Sequence, residues 1–363
     1  MQARNTLIHI VYEGKDISRD IAPFLLTFTF TDNEGGKSDD LAISLEDKNF
    51  AWLLDWTPEK SDTITASIIK SDGNRLSTLP CGTFSVDQID YSSPPSVLTI
   101  KAVSASVSKK ARREKHSRSW ENTTLRGVLS DLAADNGLAL FWDSAGNGTL
   151  ERIEQIEQSD LEFMKSLCDD YGLAVKIQDS RVVVYDLEEY EERSSVDKIT
   201  REDKRLISWK FSTKTAKTYK GARVTYHDPV KHEDYEAEDI DDYQEGSEEW
   251  LEIHERVESQ GDAQRVAHKR LHEANRAEIT GSIVLMGDVR FLAGVNVDLD
   301  DFGNFSGKYS ITKATHKVDS SGYTTTLELS QGKSSKAKTK ARKKARKSKG
   351  ATSTLYYEGS RHY

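Results

Sequence analysis

The sequence predicts a mainly β protein with α+β modules, in which helix–strand units lie between two antiparallel β-barrels. Apolar residues recur at every second position in many short runs, as in strands with one buried face. Turns built on glycine separate the runs at short, even intervals, which is typical of small antiparallel barrels. Two central segments instead place apolar residues at helical spacing and end at a glycine.

Residues 1–110 are predicted to form the first barrel. Alternating apolar residues mark four of its strands: Leu26, Phe28 and Phe30; Leu41, Ile43 and Leu45; Ile64, Ala66 and Ile68; Leu98, Ile100 and Ala102. Turn-forming residues separate these runs at 33–36, 71–74 and 92–95. This pattern predicts an antiparallel sheet with one buried face.

Residues 111–200 are predicted to form an α/β module with two helix–strand units. The first helix has its cap at Thr123 or Thr124 and ends at Gly137, while the second has a capping box of Ser159 and Glu162 and ends at Gly172. Their apolar stripes are Leu125, Val128, Leu129 and Leu132, and Leu161, Met164, Leu167, Cys168 and Tyr171. The strings LAADNGLA and LCDDYGLA match at an offset of 35 residues, which indicates a paired module.

Residues 201–332 are predicted to form a second barrel, interrupted at about 231–276 by an acidic loop and a helix. Strand patterns lie at LISWKFS, GARVTYHD, Ser282–Met286, Val295–Leu299, Lys308–Lys317 and Tyr323–Leu329. The inserted helix has Asp262 as its cap and an apolar face of Ala263, Val266, Ala267, Leu271 and Ala274. The carboxylates of Glu233–Glu249 predict a solvated loop, with a charged docking surface as the alternative.

Composition limits the class of protein. A chain of 363 residues with 31% charged residues and a mean hydropathy of -0.65 predicts a soluble protein of several domains. No run approaches the ~18–20 apolar residues of a membrane helix, and no signal peptide is predicted. Cys81 and Cys168 are predicted to be structural thiols, although one bridge could join them.

Residues 333–363 form a separate basic tail of net charge +10, which leaves -19 for the remainder. The run from Lys333 to Gly350 has no apolar residue larger than alanine, so we expect it to be disordered when free. The candidate partner-binding residues are Lys333, Lys336, Lys338, Lys340, Arg342, Lys343, Lys344, Arg346, Lys347, Lys349, Tyr356 and Tyr357. They could bind an acidic protein surface, bind nucleic acid, or only keep the chain soluble. The acidic body argues against nucleic acid.

Candidate catalytic and metal-binding patterns are weak. His268 and His272 share a helix face, but Lys269 stands where a zinc protease needs glutamate, so a solvated or subunit-contacting face is predicted. Calcium-loop, nucleophile-elbow, phosphate-loop and dinucleotide-binding patterns are all missing from the sequence. No cofactor and no enzymatic activity are predicted.

Several segments, taken in their order along the chain, resemble those of a known family over about residues 5–332. They include VYEGKDIS, PFLLTFTFTDNEGG, WTPEKSDTITASI, CGTFSVDQIDYSSPP, SWENTTLRGVLSDLAADNGL, DAQRVAHKRLHEANR and the final GKYSITKATHKVDSSGYTTTLEL. In this order they resemble the bacteriophage late control gene D family, the baseplate hub proteins of contractile tails, which are related to the hub part of type VI secretion spike proteins. One departure is Ser61, where the family often has glycine, so the local turn is expected to differ.

The resemblance implies a structural, non-enzymatic hub. Members of the family form trimers in which two similar barrels per chain give a pseudo-hexameric ring, and this ring adapts a hexameric tail tube to a trimeric spike. The implied partners are a second and third copy, the tail tube protein, the spike, other baseplate proteins and, through the tail, a tape-measure protein. The implied location is a virion or tail-like particle, assembled in the bacterial host cytoplasm.

Two other functions stay open from sequence. One is a baseplate-associated cell-wall hydrolase, and the other is a nucleic-acid-binding factor that acts through the basic tail. For the hub, we expect proline within Val295–Leu299 or Thr324–Leu329 to break a strand ladder or ring closure.

Overall fold

The computed structural model describes residues 5–331, apart from 55, 74, 106–113, 179, 215–217, 230, 242–247, 258 and 277. The basic tail, with its candidate residues from Lys333 to Tyr357, lies outside the described residues. Within them, strands predominate and most neighbouring strands are antiparallel. The predicted mainly β fold is therefore confirmed.

The first part of the chain forms a curled antiparallel sheet. Its strands are β1 Asn5–Tyr12, β2 Lys15–Asp16, β3 Leu25–Asn33, β4 Asp40–Glu46, β5 Thr63–Asp72, β6 Arg75–Ser92 and β7 Val97–Ser104. Between them lie the short helices α1 Ser18–Ile21 and α2 Ala51–Leu54 and a 3-10 turn at Ala22–Phe24. The strands pair in the order β3-β4-β7-β6-β5-β1-β2 around a core that includes Phe28, Phe30 and Phe84.

The central module contains the two helix–strand units. Its elements are β8 Lys115–Thr124, α3 Leu125–Asp135, β9 Ala139–Asp143, β10 Thr149–Ser159, α4 Asp160–Asp170, β11 Leu173–Gln178, β12 Arg181–Asp186 and α5 Leu187–Glu192. Thr124 caps α3, and Ser159 and Glu162 form the predicted capping box of α4. Gly137 and Gly172 follow the helices with φ of 69° and 63°, a conformation that glycine adopts without steric cost.

The last part of the chain forms a second curled sheet with an inserted unit. The sheet strands are β13 Ser195–Thr200, β14 Leu206–Thr213, β18 Ile279–Met286, β19 Asn296–Asp300, β20 Gly307–Asp319 and β21 Gly322–Ser330, with a 3-10 turn at Gly303–Phe305. The inserted unit consists of β15 Gly221–Asp228, β16 Glu233–Ile240, β17 Trp250–Ile253 and α6 Gln260–Arg276.

The inserted unit corrects three sequence predictions. The segment GARVTYHD, predicted as a strand of the second barrel, is β15 of the separate three-stranded sheet in this unit. The acidic loop predicted over Glu233–Glu249 begins instead with β16, in which Tyr235 and Ala237 are buried while the acidic residues beside them are exposed. Charge on the solvent face concealed the period-two pattern. The predicted cap Asp262 lies inside α6, and its N–H donates to the Ser259 Oγ at 3.2 Å.

The two curled sheets are an internal repeat. The order β14-β18-β21-β20-β19-β13 matches β3-β4-β7-β6-β5-β1, with the strands in the same chain order. The registers match too: Leu25 pairs with Leu45, Leu206 pairs with Leu285, and a bulge follows each pair. One difference is that β1 runs antiparallel to β5, whereas β13 runs parallel to β19.

The strand β20 joins the two repeats. It pairs with β19 over Gly307–Ser310 and then with β3 over Lys313–Asp319, so the barrel strands belong to one sheet. Val318 and Tyr323 of the second repeat also pack against the core of the first. The division at residues 110, 200 and 332 stays a prediction.

Two local features differ from the sequence predictions. Leu26, predicted to share the buried face of Phe28 and Phe30, is 38% exposed because the bulge in β3 turns it outward. Ser61 adopts a φ of 81°, so serine here takes the positive φ that glycine favours, and the expected change of turn is wrong in this respect.

Candidate assembly interface

One edge of β14 is open. Among the described residues, β14 pairs with β18 alone. The Lys214 N–H donates to the Glu278 carbonyl on the β18 side at 2.9 Å. Because alternate residues of an antiparallel strand address the same neighbour, Trp209, Phe211 and Thr213 direct their N–H and C=O groups into the open edge. Such an edge can accept a strand from another chain.

Apolar side chains accompany this edge. Ile207 and Trp209 are 56% and 48% exposed. The Trp209 and Phe211 ring centroids lie 5.6 Å apart, and both rings contact Phe302 edge-on. Exposed aromatic residues beside an unpaired strand are typical of a contact surface between proteins.

The far end of β6 provides a second open edge. β6 pairs with β5 only up to Ser85, but it pairs with β7 up to Ser92. The Val86 N–H donates to the Asp62 carbonyl at 2.9 Å. Beyond Val86, no strand in the described part of the chain lies on the other side of Gln88–Ser92.

A third exposed surface lies beside α2. Phe50, Leu53, Leu54 and Trp56 are between 46% and 72% exposed. Trp56 also lines a cavity of about 660 Å³, which Trp52 and residues of the first core border. The described part of this surface is a short helix and its flanking residues, with no unpaired strand, so it lacks the directional hydrogen bonds that a strand interface supplies.

The strands named from sequence as sites for proline lie inside the sheet. β19, which contains most of Val295–Leu299, lies between β13 and β20. β21, which contains Thr324–Leu329, lies between β18 and β20. A proline substitution in either strand therefore tests backbone hydrogen bonding within the chain. The open edges, which another chain could pair with, belong to β14 and β6.

The prediction of a solvated or subunit-contacting face is wrong for His272, which is buried, whereas the His268 side chain is 41% exposed. His268 lies 2.9 Å from Asp239 through Nδ1 and 3.0 Å from Glu188 through Nε2. His272 is 5% exposed, and its Nε2 lies 3.0 Å from Glu191. Helical periodicity could not reveal α5, which supplies both glutamates. Within the residues that the structure describes, no group of three or more His, Cys, Asp or Glu side chains could hold a metal ion.

Glu188 connects α5 to α6 electrostatically. Burial alone would raise its pKa, but the hydrogen bond with His268 and the charges of His272 and Lys269 lower it from 4.5 to about 2. The pKa in the folded chain is thus below that in the unfolded chain. The stability that ionised Glu188 contributes is therefore complete above about pH 4.5 and is lost as the pH falls towards 2.

Glu188→Gln should make the folded chain less sensitive to acid. We expect the wild-type free energy of unfolding to exceed that of the variant by about 1–3 kcal/mol near neutral pH. The difference should shrink below about pH 4.5, because protonated Glu188 and glutamine are both neutral. Urea unfolding across this pH range measures it, and Glu189→Gln, an exposed neighbour, is the control. Parallel pH profiles for wild type and Glu188→Gln would contradict the prediction.

Cys81 and Cys168 are both buried and unbridged, in agreement with structural thiols. Burial raises the pKa of each thiol, which disfavours the reactive thiolate. No helix in the described ranges combines the length and apolar character needed to cross a membrane.

No protein-family model matches the chain. Two curated relatives, described as probable baseplate hub proteins of Escherichia phages 186 and P2, are 30% identical over 177 residues and 31% identical over 173 residues. The matches cover 48% and 47% of this chain, but only 43% and 42% of the relatives. The predicted resemblance to baseplate hub proteins is therefore confirmed in sequence, over less than half of each relative.

Solved tail proteins share the fold. The chain is similar to the 43 kDa tail protein of prophage MuSo2 from Shewanella oneidensis, with a TM-score of 0.70, 12% identity, and coverage of 90% and 98% of the two chains. The tail protein from Neisseria meningitidis MC58 matches with a TM-score of 0.67 and 14% identity, over 90% of this chain and 96% of that chain. The Escherichia coli c3393 protein is described as a type VI secretion component similar to phage T4 tail proteins. It matches with a TM-score of 0.52 and 11% identity, over 84% of this chain and 73% of that chain.

Proposed function

We propose that the chain is the structural hub of a contractile phage tail or a phage-tail-like baseplate. Three copies form a ring of six barrels that joins a hexameric tail tube on one face to a trimeric spike on the other. The observation that carries the proposal is the internal repeat. Because each chain supplies two sheets of the same strand order, three chains supply six similar positions.

The open strand edges support the same role. A ring must close strand edges that would otherwise remain unpaired, and this chain has such edges in both repeats. The two relatives described as baseplate hub proteins support the setting of a phage baseplate. Its proposed partners are the tail tube protein, the spike and other baseplate proteins in the virion or particle.

The role is structural and not enzymatic. This proposal is supported by buried titratable side chains that pair with one another inside the fold. His272 pairs with Glu191, and Arg276 pairs with Glu34. For Lys333–Lys349 with Tyr356 and Tyr357, we propose an acidic partner such as a tape-measure protein. Its support is the positive charge of the run and the tyrosines that follow it.

Imaging of the purified chain with tail tube and spike proteins tests the proposal. We expect a ring with six lobes and threefold symmetry that binds the tube protein on one face and the spike on the other. A chain that forms no ring, alone or with either protein, would contradict the proposed function.

A further inference from the structure

The junction between the two repeats serves as a template for a contact between chains. Inside the chain, β20 of the second repeat pairs with β3 of the first. In the matched strand orders, β6 corresponds to β20, and β14 corresponds to β3. The strands β6 and β14 also carry the open edges. We infer that β14 of one copy pairs antiparallel with the end of β6 in the next copy.

Matched pairings define the register of this contact. Thr31 and Ser212 occupy equivalent positions, because each lies at the same distance beyond the bulge of its strand. Thr315 and Asp90 are also equivalent, because each lies two residues beyond the first pair after a bulge, Thr315 in the pairing with β21 and Asp90 in the pairing with β7. Since Thr31 pairs with Thr315 inside the chain, Ser212 should lie opposite Asp90 of the neighbouring copy. The full segment then places Gln88–Ser92 opposite Lys210–Lys214.

Side-chain chemistry agrees with this register. Lys210 and Lys214 flank Ser212, so both become diagonal neighbours of Asp90, which is 46% exposed in the single chain. On the other face, Tyr91 comes opposite Phe211. The equivalent pair inside the chain is His316 and Phe30, whose rings stack with centroids 6.0 Å apart.

Exposure also indicates a missing neighbour. Trp209 occupies the position in β14 that Phe28 occupies in β3. Phe28 is fully buried, with Val318 and Tyr323 of the other repeat packed against its core, whereas Trp209 is 48% exposed. A copy of the chain seated on β14 would cover Trp209 as β20 covers Phe28.

The contact is head-to-tail, so it can close a ring. Each copy presents β14 at one end of its sheet and the free part of β6 in the other repeat, and the two surfaces differ. Heterologous contacts of this kind form closed rings when the rotation between copies permits. The number of copies, three, rests on the proposed function, while the strand pair rests on the repeat.

A disulfide across the contact tests the inference. The Glu34 N–H donates to the Thr312 carbonyl at 3.0 Å, and alternation then makes Thr31–Thr315 a pair without mutual hydrogen bonds. Cα atoms in such pairs are about 4.5 Å apart, within the range for a disulfide. The full chain carrying Asp90→Cys and Ser212→Cys should therefore give covalent dimers and trimers on mild oxidation, reversed by reductant. Cys81 and Cys168 are buried and should not compete.

Two further variants make the test specific. Ser92→Cys with Lys210→Cys keeps Asp90 and should cross-link as well, because this pair lies two residues along the same register. Asp90→Cys with Thr213→Cys is the control: a slip of one residue moves the side chain to the opposite face, so it should stay uncross-linked. Light scattering of each reduced variant reports whether copies associate at all.

The outcomes separate the inference from the proposed function. Trimers by mass, with neither designed pair cross-linking, overturn the strand pairing and leave the hub role standing. Monomers that do not cross-link at high concentration overturn the pairing too. The hub role fails with it only if imaging with tube and spike proteins also reveals no ring.

Discussion

Lys176→Met should destabilise the folded chain by about 3–5 kcal/mol, because it leaves buried carboxylates without their cation. The Lys176 side chain on β11 is 12% exposed and contacts Asp32 and Asp39, each with a 4% exposed side chain. Its Nζ also donates to the Asn33 carbonyl at 3.0 Å. Asp32 in turn accepts from the Ala293 N–H at 2.8 Å. One ammonium group therefore stabilises the contact between both repeats and the central module.

The deficit of Lys176→Met should depend on pH. Burial raises the pKa of Asp39 from 3.8 to about 6. The positive charge of Lys176 opposes this rise, and the negative charge of Asp32 adds to it. A pKa that is raised on folding means that ionisation destabilises the folded state. Without Lys176, ionisation of Asp39 should destabilise the folded state further. The loss of unfolding free energy in Lys176→Met should therefore be larger at neutral pH than near pH 4.

Urea unfolding of wild type and variant at neutral and mildly acidic pH measures both effects. Lys165→Met is the control, because Lys165 forms a half-exposed pair with Asp169 on α4. Its loss should change the free energy of unfolding by no more than about 0.5–1 kcal/mol. A Lys176→Met variant within that range of wild type would contradict the role assigned to Lys176 and its two buried partners, Asp32 and Asp39.

Thr213→Pro should abolish self-assembly without unfolding the chain. The N–H of Thr213 points into the open edge of β14, where a second copy is expected to accept it. Proline removes that donor and places its ring at the edge, yet edge strands tolerate proline where the N–H faces away from the sheet. Each of the contacts in a ring would lose about 1–3 kcal/mol from an unpaired buried carbonyl, in addition to the steric clash.

Light scattering and circular dichroism together measure this effect. We expect Thr213→Pro to have the monomer mass and the spectrum of wild type. Thr213→Val keeps the backbone N–H and should assemble normally. A proline variant that assembles as well as the valine variant would show that β14 is not the contacting edge.

Local structure was largely predictable because its causes are local. The cap at Thr124, the capping box of Ser159 and Glu162, and the glycine stops need only a few neighbouring residues, and each is where the sequence placed it. The alternation in β3 likewise predicted the burial of Phe28 and Phe30. Even there, Leu26 escaped the pattern, because a bulge depends on the partner strand.

Long-range features were not predictable from the same signals. The strings LLTFTFT and LISWKFS are equivalent strands of the repeat, but seven residues are too few to establish this, and β15–β17 with α6 intervene before β18. The open edge of β14 depends on which strands pair, which alternation does not specify. The same holds for His268 and His272, whose acidic partners on α5 come from 80 and 81 residues earlier in the chain.

The absolute mass of the purified full chain in solution tests the central claim most directly. Light scattering over a range of concentrations should give a discrete species of three times 40.8 kDa, in line with a ring of three copies and six barrels. A mass of 40.8 kDa at every concentration, with tail tube and spike proteins absent and then present, would contradict the account of this chain as a trimeric hub.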